Sequence, residues 1–169
     1  MPDSASLIEP GRKAPAFHLP DQTGEKHRLS ACAGRPVVLY FYPRDSTPGC
    51  TKQACAFRDF VATQESRDAE QALAETNTAV FGVSPDDAAS HEKFAAKQGL
   101  NFPLLVDTDQ MVARAYGVWG EKKMYGKTFE GIVRTTYLIG PDGKVARRWD
   151  KVRVPGHVDE VIAAIGELA

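Results

Sequence analysis

The segment VVLYFYPRDSTPGCTKQACAFRDFV, residues 37–61, changes its pattern of apolar residues at its centre, and this change decides the fold. Its first part, Val37–Tyr42, is β-branched and aromatic without interruption, which is typical of a strand buried on both faces. Pro43 and Pro48 then exclude regular structure over the next few residues. From Cys50 onward the apolar residues recur at spacings of three and four, as on one face of a helix. The segment therefore predicts a buried strand, a stiff loop and a helix that begins near Cys50.

The rest of the chain alternates between extended and helical patterns. Their order predicts an α/β fold of three layers, with a mixed central sheet flanked by helices and an N-terminal β-hairpin. We expect one domain over residues 1–169, since no repeat or Pro/Gly-rich linker interrupts the pattern. A strand running into a helix that starts with a cysteine is the architecture of thioredoxin-like folds. The predicted elements are a hairpin at residues 15–29, strands Thr78–Val83 and Leu104–Val106, a helix Asp109–Tyr116, a hairpin formed by Arg134–Ile139 and Lys144–Trp149, and a C-terminal helix Val158–Leu168.

Two helix boundaries have local signals. Ser84, followed by a proline and two acidic residues, is predicted to be an N-cap, and Gly99 is predicted to end that helix. The first helix is predicted to continue through Asp68–Glu75, where helix-forming residues dominate.

The composition narrows the class of protein. The 169 residues carry a net charge of −1, and nucleic-acid-binding proteins usually have a clear basic excess. The basic stretch Arg147–Arg153 is therefore interpreted as a solvated strand edge. The longest apolar run is too short to cross a bilayer, and the N-terminus shows no secretory signal. Three cysteines fit a reducing compartment, so we expect a cytoplasmic protein. From the charge balance and the short apolar run, we expect no nucleic-acid or membrane partner.

Cys50 is the candidate nucleophile because of its position. A cysteine in the first turn of a helix faces unpaired N–H groups and the positive end of the helix dipole, which favour the thiolate. Thr47 can place a hydroxyl beside the sulfur, where it can accept a hydrogen bond from a substrate and donate one to the sulfur. Pro43 and Pro48 would stiffen the loop and limit the access of water. Taken alone, Cys50 also fits an inert buried cysteine.

The neighbours of Cys50 resolve this ambiguity, because the sequence resembles the peroxiredoxins. The family pattern of proline, three residues, threonine, two residues and the peroxidatic cysteine is matched by Pro43, Thr47 and Cys50. The chain also resembles the Q-type subgroup, whose members are also called bacterioferritin comigratory proteins. That subgroup often has a second cysteine five residues after the first, and Cys55 lies at this position. The resemblance covers nearly the whole chain, and it is carried by YFYPRDSTPGCTKQACAFRD (residues 40–59), FGVSPD (residues 81–86) and YGVWGEKKMYGKTFEGIVRTTYLIGPDG (residues 116–143).

The resemblance implies a function and a set of roles. Arg134 matches the family arginine that contacts the peroxidatic sulfur, where a guanidinium can hold a thiolate and stabilise charge on the peroxide oxygens. Cys50 would reduce hydrogen peroxide and organic hydroperoxides and become a sulfenic acid. Cys55 would resolve it as an intramolecular disulfide, and thioredoxin or a related dithiol would reduce that disulfide. The family also implies a monomer that uses no cofactor. The chain departs from the subgroup pattern after Asp59, where it is longer than expected and Ser66–Thr76 looks inserted.

Cys32 lies where the family pattern needs no cysteine, and we interpret it as a structural thiol. An alternative role as resolving thiol or glutathionylation site stays open. The four histidines are scattered and adjoin no cysteine at metal-ligand spacing, so no metal site is predicted.

Two other functions remain as alternatives. A general thioredoxin-like disulfide reductase would use C-x-x-C, whereas four residues separate Cys50 and Cys55. A non-catalytic thioredoxin-like binding module would be expected to lose Thr47, Cys50 or Arg134, and all three are present.

Overall fold

A five-stranded mixed sheet lies at the centre of the computed structural model, which describes residues 7–65 and 78–168. The strands are β1 (His18–Pro20), β2 (Lys26–Arg28), β3 (Val37–Phe41), β4 (Ala79–Ser84), β5 (Leu104–Val106), β6 (Trp119–Met124), β7 (Lys127–Ile132), β8 (Thr135–Ile139) and β9 (Val145–Trp149). The helices are α1 (Pro48–Glu65), α2 (Ala88–Gln98), α3 (Met111–Ala115) and α4 (His157–Gly166), with a short 3-10 helix at Leu29–Cys32.

The sheet has the order β5-β4-β3-β8-β9, and β3 is its central strand. Strands β3, β4 and β5 are parallel, while β8 pairs antiparallel with β3 and β9 pairs antiparallel with β8. The pairs β1-β2 and β6-β7 are separate hairpins. The predicted mixed sheet and N-terminal hairpin are confirmed.

The central sheet divides the core into two layers, and β3 contributes side chains to both. Val37, Leu39 and Phe41 pack with one buried cluster, on the face that also holds α3. Val38 and Tyr40 point to the opposite face, where α1, α2 and α4 pack over the sheet. Because β3 is buried on both faces, its sequence is apolar at every position, as the pattern indicates. The three-layer α/β prediction is confirmed, and α1 begins at the carboxyl end of the central strand.

The start of α2 differs from the prediction. Ser84 is the last residue of β4, where it pairs with Val106, and it does not cap the helix. The N-cap is Asp87, whose carboxylate accepts a hydrogen bond from the N–H of Ser90 at 2.9 Å. Gly99 ends α2 with a φ of 61°, as predicted.

The hairpin formed by β6 and β7 was not predicted. Its turn residues, Tyr125 and Gly126, have φ angles of 53° and 75°, the geometry that two-residue hairpin turns favour. Tyrosine is an unusual residue for the first of these positions, so the sequence lacks the Asn-Gly or Asp-Gly signal.

Two further expectations concern residues 66–77. The continuation of α1 through Asp68–Glu75 and the insertion Ser66–Thr76 lie outside the described residues. Among the residues that are described, no helix is long and apolar enough to cross a membrane.

Candidate active site

The sulfur of Cys50 lies in the first turn of α1, directly after the loop that follows β3. The residue is 1% exposed. The helix begins two residues earlier at Pro48, which needs no hydrogen-bond partner for its nitrogen and has a φ suited to a helix. Cys50 therefore faces the positive end of the helix dipole, as predicted, where a thiolate is favoured.

Arg134, although distant in the sequence, contacts the sulfur of Cys50. Its Nη2 donates a hydrogen bond to Cys50 Sγ at 3.1 Å. The residue precedes β8, the neighbour of β3, and its carbonyl accepts a hydrogen bond from the N–H of Val152. A Cβ on Gly49 would lie 3.4 Å from Nη2, at contact distance, so the guanidinium packs directly against the start of α1. The structure thus brings together a thiol and a permanent cation that are 84 residues apart.

Gln53 completes this contact, although the sequence analysis did not identify it. Its Oε1 accepts a hydrogen bond from Arg134 Nη1, and its side chain is fully buried. Residues three apart share a helix face, so a polar residue three positions after Cys50 was the available signal. Gln53 and Cys50 together fix both terminal nitrogens of the guanidinium.

The Thr47 hydroxyl does not donate to the sulfur, contrary to the sequence expectation. It donates instead to the carbonyl oxygen of Arg44 at 3.1 Å. Its hydrogen is engaged by that carbonyl, so the oxygen lone pairs are what it can offer to a substrate. The carbonyl of Thr47 accepts the N–H of Thr51 at 2.8 Å, which closes the first helical turn around Cys50.

Pro43 is partly buried and immediately follows β3. Proline has no N–H for sheet pairing, so the strand ends there and the chain turns toward the helix. The N–H of the preceding residue, Tyr42, still pairs with the carbonyl of Val83 at 3.0 Å. Pro43 therefore fixes where the loop begins.

Cys55 lies on α1 but faces a different element. Its Sγ is 3.5 Å from Oε1 of Gln98, the last residue of α2, to which it donates. Arg58, three residues further on, donates to the Gln98 carbonyl at 2.7 Å. The side of α1 that carries Cys55 is thus held against the end of α2, while Cys50 faces Arg134.

Cys32 lies on the opposite side of the central sheet. It packs in the cluster of Val37 and Leu39, whereas Cys50 packs in the cluster of Val38 and Tyr40. All three cysteines are free thiols. With the sheet between them, Cys32 and Cys50 cannot meet without large rearrangement of the fold.

The charge of Arg134 affects two further side chains that the sequence analysis did not assign to the site. Burial, followed by the nearby Arg134, lowers the pKa of His157 to about 4. Burial and Arg134 also lower the pKa of Lys122 on β6, while Cys50 acts in the opposite sense. Arg134 therefore acts on side chains around Cys50 as well as on the sulfur itself.

One group in the described part of the chain has metal-ligand proximity. The ligand atoms of Asp21, Glu25 and His27 lie within 4.8 Å of one another in the N-terminal hairpin. The Asp21 carboxylate is already engaged by the backbone N–H of Thr23 and Glu25, the Thr23 hydroxyl and the His27 ring. These hydrogen bonds stabilise the turn between β1 and β2, and they explain why the three side chains lie close together.

The chain matches the AhpC/TSA family over residues 10–148. A putative peroxiredoxin bcp of Coxiella burnetii is 45% identical over 158 residues, which cover 94% of this chain and 99% of that protein. Peroxiredoxin Bcp of Bacillus subtilis is 42% identical over 162 residues, which cover 96% of this chain and 98% of that protein.

A solved structure gives the same result for the fold. The bacterioferritin comigratory protein of Xanthomonas campestris, studied for its alkyl peroxide reduction activity, superposes with a TM-score of 0.82. It is 39% identical, and the superposition covers 94% of this chain and 98% of that one.

Proposed function

The chain belongs to the AhpC/TSA family as a peroxiredoxin of the bacterioferritin comigratory (Q) type, and we propose that Cys50 is its peroxidatic thiol. The chain is a thiol-dependent peroxidase. The observation that carries the proposed role is the 3.1 Å hydrogen bond from Arg134 to the Cys50 sulfur in the first turn of α1. A relative studied for alkyl peroxide reduction supports organic hydroperoxides as substrates beside hydrogen peroxide.

The first step forms a sulfenic acid. The Cys50 thiolate attacks one peroxide oxygen, so that an S–O bond forms while the O–O bond breaks. The leaving oxygen takes up a proton and departs as water or an alcohol. Arg134 is fixed by Gln53 and keeps its charge throughout, so it can stabilise the thiolate and then the negative charge on the peroxide oxygens. The lone pairs of the Thr47 hydroxyl are available to accept the peroxide hydrogen.

Cys55 is the proposed resolving thiol. Its sulfur attacks the Cys50 sulfenic acid, which forms a disulfide and releases water. The two residues lie on one helix, where five residues correspond to a rotation of about 140° and roughly 8–9 Å between Cα atoms. A disulfide needs Cα atoms about 4.4–6.8 Å apart. The proposal therefore requires α1 to unwind locally after Cys50 is oxidised.

The partner in reduction is a dithiol protein of the thioredoxin type, as the family implies. A reductant must reach the disulfide sulfurs, and unwinding of the first turns of α1 would expose a Cys50 that is buried in the reduced state. We further propose a monomeric, single-domain enzyme in the cytoplasm. An odd number of cysteines is compatible with a reducing compartment.

Coupled turnover tests this function. The reduced protein, supplied with thioredoxin, thioredoxin reductase and NADPH, should consume NADPH only when a hydroperoxide is added. The same mixture with insulin as the substrate should show no activity above that of thioredoxin alone. Insulin reduction without peroxide consumption would instead indicate a general disulfide reductase.

A further inference from the structure

The loop that presents Cys50 is anchored by a carboxylate buried beneath it. Asp45 lies five residues before Cys50, and its side chain is 2% exposed. Its Oδ1 accepts a hydrogen bond from the Tyr42 hydroxyl at 2.6 Å. Its Oδ2 accepts one from the Ser90 hydroxyl at 2.8 Å and contacts His91 Nδ1 at 2.6 Å. The carboxylate thus has three partners, two of them on α2.

The His91 ring links Asp45 to the sheet. The ring is fully buried, and its Nε2 lies 2.9 Å from the carbonyl oxygen of Leu105 on β5. A carbonyl oxygen only accepts, so Nε2 carries a hydrogen. Nδ1 faces Asp45, whose pKa is lowered by hydrogen bonds from His91, Tyr42 and Ser90 that together outweigh the opposing effect of burial. Asp45 is therefore ionised, and the His91 ring bridges it to the Leu105 carbonyl.

Asp45 connects the loop to α2 and to the segment that precedes it. The backbone N–H of Asp45 also donates to Oδ2 of Asp86, in the connection between β4 and α2. The loop is consequently fixed through both the main chain and the side chain of Asp45. The hydrogen bond to the Cys50 sulfur comes from Arg134 and not from any of these partners.

The residue after the anchor has a strained backbone. Ser46 has a φ of 64°, in the left-handed region that residues other than glycine rarely adopt. Such conformations persist when the surrounding structure determines them strongly. Thr47 and Cys50 follow within four residues, so the position of the peroxide site depends on the chain keeping this conformation.

We propose that the Asp45–His91 ion pair is a positioning device that holds the Thr47–Cys50 loop in its peroxide-reactive conformation. His91 acts only through Asp45 and makes no contact with the reacting atoms. The inference rests on the proposed role of Cys50. If that role were wrong, Cys50→Ser would retain activity. Variants of Asp45 and His91 are measured separately, so the two proposals fail in different experiments.

Two rates measured on the same variants test the inference. The first is the second-order rate of Cys50 oxidation by hydrogen peroxide, followed by rapid quenching and mass spectrometry. The second is the rate of Cys50 alkylation by iodoacetamide, which needs a thiolate but no positioned peroxide. Asp45→Asn and His91→Gln should each lower the peroxide rate roughly tenfold to a hundredfold, as expected for a misplaced reacting group. Neither variant should lower the alkylation rate to the same extent.

The double variant Asp45→Asn/His91→Gln provides a rescue. Removing one member of a buried ion pair leaves an uncompensated charge, whereas replacing both members does not. The double variant should therefore react with peroxide faster than either single variant. A double variant no faster than the single ones would contradict an ion pair.

Asp107→Asn is the matched control. Asp107 is also a buried carboxylate, but it accepts from the N–H groups of Val112 and Ala113 at the start of α3, on the face of the sheet away from Cys50. This variant should keep the wild-type ratio of the two rates even if it is less stable. Tyr42→Phe removes one of the three contacts to Asp45, together with a hydrogen bond to Ser84, and should give a smaller loss. It covers the case in which a variant of Asp45 or His91 fails to fold. Wild-type ratios in His91→Gln and Tyr42→Phe, or an equal loss in Asp107→Asn, would overturn the inference.

Discussion

Cys50 and Cys55 lie five residues apart on one continuous helix, and their sulfur atoms contact partners on different elements. Cys50 accepts a hydrogen bond from Arg134 before β8, and Cys55 donates one to Gln98 at the end of α2. The arrangement suits reaction with peroxide and at the same time prevents a disulfide. Catalysis by both cysteines therefore needs two conformations of the start of α1, one folded and one unwound.

Cys50→Ser is expected to abolish peroxidase activity and leave the domain folded. Serine is close in size to cysteine, and its hydroxyl is not ionised at neutral pH. NADPH-coupled turnover gives the activity, and thermal unfolding monitors the fold. More than a few percent of the wild-type rate would assign the peroxidatic role to another residue.

Arg134→Lys is expected to lower the second-order rate with peroxide substantially, roughly a hundredfold if one essential donor is lost. Lysine retains the charge but cannot donate to Cys50 and Gln53 at once through a planar guanidinium. The measurement is single-turnover oxidation of Cys50. An unchanged rate would show that the charge alone is sufficient.

Cys55→Ser is expected to consume one equivalent of peroxide and then stop. If Cys55 is the resolving thiol, its loss leaves the sulfenic acid without a partner within the helix, and thioredoxin-dependent turnover stops. Cys32→Ser is the control, since Cys32 lies on the opposite side of the sheet. It should have nearly wild-type turnover, and a loss equal to that of Cys55→Ser would argue against the assignment.

Protonation of His157 is expected to lower the free energy of unfolding in mild acid. Its pKa is about 4 in the folded protein and about 6.5 in the unfolded chain. The unfolded chain therefore binds the proton first, and stability falls as the pH decreases from about 6.5 to about 4, by at most about 3 kcal/mol. Urea unfolding of the wild type and His157→Gln over this range isolates the effect. Equal slopes of stability against pH in the two proteins would contradict it.

Amide hydrogen exchange should distinguish the two conformations of α1. Amides of residues 51–58 are expected to be protected in the reduced protein and to exchange fast in the oxidised one, because a Cys50–Cys55 disulfide cannot form on an intact helix. The amides of β3 serve as the internal control, since that strand is fully buried and lies outside the segment expected to unwind. Equal protection of residues 51–58 in both redox states would mean that Cys55 is not the partner of Cys50.

The site could be predicted from the sequence where local physics determines it. The uninterrupted apolar run of β3, the two prolines and the helical spacing after Cys50 each act within a few residues. Arg134 was found through family resemblance rather than spacing, because a contact across 84 residues leaves no local pattern. The structure adds the geometry of that contact.

The remaining features depend on contacts between distant segments. Ser84 has the local properties of an N-cap, but pairing with Val106 keeps it in β4 and moves the cap to Asp87. Similarly, a threonine beside a cysteine can bond either the sulfur or a carbonyl, and in the fold Thr47 bonds the Arg44 carbonyl. The Asp45–His91 contact joins residues 46 apart and has no signal in either segment.

The most direct test is to treat the reduced protein with one equivalent of hydrogen peroxide and measure intact mass and disulfide connectivity. The account predicts a loss of about two mass units and a single linked peptide pair joining Cys50 to Cys55. A Cys50–Cys32 linkage, or a stable gain of about sixteen mass units with no disulfide, would contradict it.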